Sequence, residues 1–360
     1  MKRAYNFNAG PAALPAEVLT QAQEELLDFQ GTGMSVMELS HRSKAYEAVH
    51  EETKALLREH YRLPDEYDIL FLQGGASTQF AMLPMNFLKA GKLGAYALTG
   101  SWSEKALKEA KLAGETAVIA SGKEGGYRAI PDPQLSIPHD AAYVHLTTNN
   151  TIYGTQWQDI PDTGKTPLFA DMSSDILSRE LPVERFSLIY AGAQKNMGPS
   201  GVTVVILKKE LLEDIPDGLP TMLDYRTHAE KKSLYNTPPT FSIYMMNLIL
   251  KWIKRNGGLA GVEQTNRKKS AMIYDAIDGS SGFYTGHADK NSRSLMNITF
   301  TLPDETLTEA FLQEAKELGF SGLNGHRSIG GCRASAYNAV SMEACEALSD
   351  FMVGFQRRHQ

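Results

Sequence analysis

Between residues 67 and 207, short apolar runs alternate with stretches of helical spacing. This rhythm constrains the fold more than any other feature of the 360-residue chain. Segments 67–73 (YDILFLQ), 94–99, 116–120, 142–147, 167–170, 188–191 and 202–207 read as strands. Helices are expected at 15–27, 43–60, 79–88 and 102–111. Strands that alternate with helices imply βαβ units and a mostly parallel sheet. Runs without strict polar alternation fit strands covered on both faces. After Gly257 the rhythm changes. Helices at 259–275 and 307–318 surround a strand at 295–300, 319–331 is loop-rich, and 341–357 is a terminal helix. The expected organisation is a large domain over 16–260 and a smaller α+β domain over 261–360, with the arm 1–15 packed against the latter.

Composition narrows the function. Lys and Arg number 36 against 42 Asp and Glu, a net charge of −6. A mildly acidic chain with no basic stripe argues against general nucleic-acid or anionic-membrane binding. An anionic small molecule must then be held by a few local Arg and His residues. The two cysteines, Cys332 and Cys345, form no CxxC and no disulfide framework, which fits a reducing compartment. Segment 1–15 has no apolar core of a signal peptide, and 241–253 is too short and polar to span a bilayer. Cytoplasmic location is expected.

Three constellations carry chemistry. Gln73-Gly74-Gly75-Ala76-Ser77-Thr78 lies between a strand and a helix, where free N–H groups and the helix dipole suit a phosphate. It lacks the Lys of a Walker loop and the third Gly of a dinucleotide fingerprint, and a capping turn is the alternative. Asp171 ends an apolar strand, where α/β sheets place ligands, or else caps the next turn. Lys195 sits in a Gly-rich turn between two apolar strands, a setting for a partly buried amine able to form an imine. Together these are what pyridoxal 5'-phosphate needs. The cup takes the phosphate, the Asp keeps the pyridine nitrogen protonated, and the Lys forms the imine and moves the α-proton. Trp102, just after a strand end, can lie flat on the ring or pack in the core.

Two His-Arg-Ser triplets, 41–43 and 326–328, supply forks and donors for a phosphate and a carboxylate. His41, Arg42, His326 and Arg327 are therefore expected to line the substrate end, with Arg333 a further candidate. His50-Glu51-Glu52-Thr53-Lys54 is not HExxH, because Lys54 stands where the second His would be, and it reads as a solvated helix face. No metal site is expected.

At the level of motifs the chain resembles the phosphoserine aminotransferases, a class-V aminotransferase family. The resemblance rests on YNFNAGP (5–11), MELSHRS (37–43), GGAST (74–78), AGAQKNMGPSG (191–201), YNTPPT (235–240) and GHRSIGGCRAS (325–335), in family order along essentially the whole chain. It implies the aspartate-aminotransferase-like fold, pyridoxal-phosphate fold type I: a large domain with a mostly parallel seven-stranded sheet and a smaller C-terminal α+β domain. It implies a homodimer with the active site shared between subunits. The implied reaction converts L-glutamate and 3-phosphohydroxypyruvate to O-phospho-L-serine and 2-oxoglutarate, with a phosphorylated hydroxy-oxobutanoate of pyridoxine biosynthesis as a second substrate. It implies Lys195 as the imine lysine and Asp171 as partner of the pyridine nitrogen. Trp102 stacks on the ring, and Ala76, Ser77 and Gln194 hold the cofactor phosphate. Thr151 lies near the ring hydroxyl, Asn236 and Thr237 reach the phosphate from the neighbouring subunit, and Arg42 meets the substrate carboxylate. The chain has Asn150 where many members carry Glu, which leaves that position's role open. The alternatives are another fold type I enzyme, such as a cysteine desulfurase using Cys332 or a different aminotransferase, and a phosphate-binding module without chemistry.

Overall fold

The computed structural model describes residues 3–360. Its centre is a seven-stranded sheet built from β1 (Tyr67–Leu72), β2 (Leu93–Leu98), β3 (Glu115–Ser121), β4 (Ala141–Thr147), β5 (Leu168–Asp171), β6 (Leu188–Gly192) and β7 (Thr203–Lys208). The strand order is β1-β7-β6-β5-β4-β2-β3. β7 runs antiparallel to both of its neighbours, and every other pairing in the sheet is parallel. The sheet is thus mostly parallel, as the apolar runs imply. The carboxyl ends of β1, β2, β4, β5 and β6 share one edge, where open α/β sheets bind ligands.

Alternate residues of β1, β2, β5 and β6 enter two cores. Ile69, Ala95, Ala170 and Ile189 face one, and Leu70, Tyr96, Phe169 and Tyr190 face the other. Burial on both faces explains the near-continuous apolar runs. Among the covering helices are α1 (Ala16–Glu24), α2 (Lys44–Tyr61), α3 (Gly75–Phe87), α4 (Ser101–Ala113), the short α5 (Tyr225–Glu230) and α6 (Thr240–Arg255). No helix among the described residues is long and apolar enough to cross a membrane.

A third core lies under a three-stranded antiparallel sheet of β8 (Thr285–Gly286), β9 (Asn297–Thr301) and β10 (Cys332–Ser335). α7 (Gly258–Asp278) runs from the large core, through Leu259 and Val262, to this one, through Ile273 and Ile277. α8 (Glu305–Glu317) and α9 (Met342–His359) complete it. Phe7 is buried in the same core, and Tyr5–Asn6 pair in parallel with Phe320–Ser321.

Two local expectations are corrected. α3 starts at Gly75 rather than 79: Gly74 takes the left-handed conformation (φ 89°), and the Thr78 hydroxyl donates to its carbonyl at 3.1 Å. His50 and Thr53 do not face solvent; both are fully buried. They lie on the stripe Tyr46, Val49, His50, Thr53, Leu57, so helical spacing, not the flanking charges, decides that face. His50 Nε2 donates to the Lys232 carbonyl at 3.0 Å, and burial holds the imidazole pKa down to about 4.

Candidate active site

The glycine cup follows β1. A β-carbon on Gly74 would lie 1.9 Å from the Thr78 hydroxyl, so only glycine fits there. No side chain caps α3, which leaves the N–H groups of its first turn for an incoming anion. Ala76 is half-buried and Ser77 exposed at this mouth. The capping-turn alternative fails here because the Thr78 hydroxyl donates to a carbonyl instead of accepting from an N–H.

Trp102 stands in the first turn of α4. The Ser103 hydroxyl accepts from the N–H groups of Thr99 and Gly100, at 3.0 and 3.1 Å, and fixes that turn. The indole Nε1 is buried without a partner. The Lys195 ammonium lies 5.3 Å from the ring centroid and the Lys105 ammonium 4.1 Å. Asn150 locks this turn to the next element. Its Oδ1 accepts from the Thr99 hydroxyl and its Nδ2 donates to the Thr155 hydroxyl, at 3.4 and 3.2 Å. A β-carbon on Gly100 would sit 2.6 Å from Asn150 Oδ1. Position 150 therefore has a role that the motif left open: it seats the Thr151 hairpin against the start of the tryptophan helix.

Asp171 ends β5 in register with Thr147 of β4 and Tyr190 of β6. It is 5% exposed, and the Ser173 N–H donates to its Oδ1 at 2.9 Å, so the carboxylate also makes the local cap. Burial raises its pKa, while the Lys195 charge and the Ser173 hydrogen bond pull it back. Behind it lies a second buried carboxylate, Asp175, which accepts from the Gln156 amide at 3.1 Å and faces Arg179 at 3.8 Å. Sequence reasoning passed over Asp175. Its signal was the i,i+4 spacing to Arg179 immediately after a strand-end acid.

Lys195 occupies the turn after β6. Its ammonium donates to the Thr151 hydroxyl at 2.6 Å. Burial lowers its pKa to about 8, with Asp171 opposing and Arg333 assisting. The amine is half-buried and its neutral form is accessible near physiological pH. The N-terminal arm closes this turn: Ala12 N–H donates to the Gln194 carbonyl at 2.9 Å, and a β-carbon on Gly10 would crowd Lys195 Cγ at 3.2 Å. Asn196 ties the turn to the small core by accepting the Asn338 N–H at 2.9 Å.

The second His-Arg-Ser triplet stands at the same opening. Arg333, on β10, donates to the Thr151 carbonyl at 3.2 Å, and its Nε is buried without a partner. His326 is half-buried, and burial together with the charges of Arg333, Arg327 and Lys105 lowers its pKa. The first triplet lies on the outer side of the glycine cup. His41 Nδ1 meets the Thr237 hydroxyl at 3.3 Å, the Thr237 carbonyl accepts from Gln73 Nε2 at 3.3 Å, and Arg42, Asn236 and Thr237 are exposed. Among the described residues, no hydrogen bond or ion pair joins His41, Arg42, Asn236 or Thr237 to Lys195, Asp171 or Trp102.

The profile of the aminotransferase class-V family matches residues 4–348. A phosphoserine aminotransferase of Geobacillus kaustophilus is 66% identical over 359 residues, covering 99% of each chain. The solved phosphoserine aminotransferase of Bacillus circulans subsp. alkalophilus superposes with a TM-score of 0.99 at 58% identity, covering all of both chains. A pyridoxal-phosphate-bound phosphoserine aminotransferase from Trichomonas vaginalis superposes at 0.89 with 39% identity, covering 97% of this chain and 99% of its own. The chain belongs to the phosphoserine aminotransferases.

In this phosphoserine aminotransferase family member, Lys195, Thr151, Trp102, Asp171, His326 and Arg333 converge at one strand edge. Half-buried His41, whose Nε2 is buried without a partner, and exposed Thr237 form a second group, which Gln73 ties to the glycine cup. The cysteines lie outside the site's chemistry. Cys332 is fully buried on β10 opposite Phe300, with its thiol pushed up to about 12, and Cys345 is fully buried and pushed up to about 11. A desulfurase needs a mobile nucleophilic thiolate, which neither provides.

Proposed function

We propose that this chain is a pyridoxal-phosphate-dependent transaminase that passes the amino group of L-glutamate to 3-phosphohydroxypyruvate, yielding O-phospho-L-serine and 2-oxoglutarate in serine biosynthesis. The observation that carries the reading is the Lys195 amine, donating to Thr151 at 2.6 Å with its pKa held low by burial, beside the buried carboxylate of Asp171.

The residues fit pyridoxal phosphate. The uncapped N-terminus of α3, with Ala76, Ser77 and Gln194, would take the phosphate. Asp171 would face the pyridine nitrogen, and Thr151 the ring hydroxyl. Trp102, whose indole N–H is buried and unpartnered, would cover the ring. Lys195 would be the covalent anchor. When bound, the cofactor supplies an electrophilic aldehyde and a protonated ring that withdraws electrons from the substrate's α-carbon.

The chain's residues do the rest. Lys195 Nζ, once free and neutral, would be the base that takes the substrate's α-proton and the acid that gives it back. Thr151 holds that nitrogen in place with its hydroxyl. Asp171 stays charged because the positive ring nitrogen would replace the solvation it lacks. Arg333, with its free buried Nε, takes the substrate α-carboxylate, while His326 and Arg327 take the distal anionic group. This assigns the α-carboxylate to Arg333 in place of Arg42.

His41, Arg42, Asn236 and Thr237 act in the site of a second copy of the chain. The grouping of His41 with Thr237 supports this, as do the exposed apolar side chains Leu26, Leu27, Met34, Met37, Met222 and Tyr235 in the same stretches of chain. The working unit is a homodimer in the cytoplasm. The phosphorylated hydroxy-oxobutanoate of pyridoxine biosynthesis has the same two anionic ends and is a second substrate in this reading.

The test is steady-state formation of 2-oxoglutarate from glutamate with phosphorylated and unphosphorylated hydroxypyruvate. A strong preference for the phosphorylated acid, lost with activity in Lys195→Ala, is expected. Equal use of both acids would remove the substrate assignment.

A further inference from the structure

His326, Arg327, Arg333 and Lys105 stand at the mouth of the site, and among the described residues none of them makes an ion pair. Besides burial, the charges of Arg333, Arg327 and Lys105 lower the His326 pKa. Burial lowers the Arg333 pKa, and the Tyr337 hydroxyl opposes it. Four basic groups that make no ion pair form a site for an anion with more than one charge.

Lys105 is the member that no motif identifies. It is exposed on α4, three residues after Trp102. Glu109 stands one turn further along the helix, where an i,i+4 ion pair could form. Among the described residues, however, no carboxylate lies within ion-pair distance of Lys105. Its ammonium instead sits 4.1 Å from the Trp102 ring centroid, and its charge reaches His326. Two independent features therefore aim it at the site: the aromatic ring that orients the stem, and the cationic group it joins.

We infer that Lys105 is a specificity-determining residue that binds the distal phosphate of the oxo-acid substrate across the mouth from His326 and Arg327. The inference rests on the reading above that the substrate carries a phosphate. Lys105 is not a catalytic residue, since the reacting atoms lie at Lys195. Its contribution scales with the charge on the distal group. A phosphate dianion gains most, the single side-chain carboxylate of glutamate gains less, and the neutral hydroxyl of hydroxypyruvate gains nothing.

The test uses holoenzyme with Lys105→Met, which keeps the apolar stem over Trp102 but removes the charge, and Lys105→Arg, which restores it. KM for 3-phosphohydroxypyruvate should rise about tenfold in Lys105→Met, that for glutamate two- to threefold, and that for hydroxypyruvate not at all; Lys105→Arg should recover most of the loss. The near-visible cofactor band should keep its position, because the stacking face is retained. Equal changes for all three substrates would mean that Lys105 acts only through Trp102, and this would overturn the inference. An unchanged KM for the phosphorylated acid would also overturn it. If the unaltered enzyme itself fails to prefer the phosphorylated acid, the substrate reading falls and the inference falls with it. If that preference stands and Lys105→Met retains it, only the inference fails.

Discussion

The Lys195 ammonium donates to the Thr151 hydroxyl at 2.6 Å, joining the turn after β6 to the hairpin after β4. That contact fixes the amine over the edge where Asp171 ends its strand, and the charges around it set its proton affinity. In the cofactor-free protein, covalent loading with pyridoxal phosphate requires neutral Lys195. The loading rate should therefore rise with pH, with a midpoint of about 8. The Asp171 carboxylate raises that value and Arg333 lowers it. Asp171→Asn should shift the midpoint down and Arg333→Gln should shift it up. Borohydride trapping of loaded protein against pH measures both shifts.

Gly100 and Asn150 touch closely enough to be tested as a pair. A methyl group at 100 would meet Asn150 Oδ1 at 2.6 Å and Tyr153 Cδ2 at 3.0 Å. Gly100→Ala should cost about 1–3 kcal/mol of stability as an overpacked site. Removing the opposing side chain in Gly100→Ala/Asn150→Ala should leave a loss smaller than the sum of the two single losses by about 1 kcal/mol. Urea unfolding of the three variants measures the coupling. The backbone at 100 is extended (φ 164°), so the cost comes from contact and not from strain.

Acid should destabilise the fold through its buried histidines. His50 is fully buried with its pKa held at about 4, and His145 is 1% exposed with its pKa held at about 3, both by burial. Folded-state values below the unfolded 6.5 mean that the unfolded chain binds more protons between the two. Stability is complete above about pH 6.5 and declines as pH falls towards 4. For His50 alone the loss by pH 4 is about 3 kcal/mol. His50→Gln, which keeps a donor for the Lys232 carbonyl, should flatten that part of the stability–pH curve in denaturant titrations.

If the site is shared between two copies, inactive variants should rescue each other. Lys195→Ala removes the amine from one site, and Thr237→Ala combined with His41→Asn removes the group contributed to the other. Mixed after unfolding and refolding, the two proteins should form hybrids with one intact site, so activity should rise well above that of either parent. Mixtures that stay as inactive as the parents would place all of these residues in a single chain's site.

Much of this was readable from the sequence because the decisive signals are local. Apolar runs such as 69–72 and 188–191 lie in strands buried on both faces, so no polar residue interrupts them. Asp171 and Lys195 each stand where such a run stops. What the sequence hid depends on how side chains pack, within one helix or between distant segments. The burial of His50 follows from Lys232 and Phe71 packing against α2. The role of Asn150 follows from a glycine fifty residues earlier, and that of Asp175 from Gln156 and Arg179. Lys105 looks like any solvated lysine until α4 places it over Trp102.

The most direct test of the central claim, that Lys195 and Asp171 together run a two-stage amino transfer, is a single-turnover absorbance measurement on the holoenzyme. Glutamate added alone should abolish the cofactor's near-visible band, and 3-phosphohydroxypyruvate added next should restore it with release of one phosphoserine per site. Lys195→Ala should do neither at a measurable rate. A band that glutamate leaves untouched, or a Lys195→Ala protein that completes the cycle at near the unaltered rate, would contradict the claim.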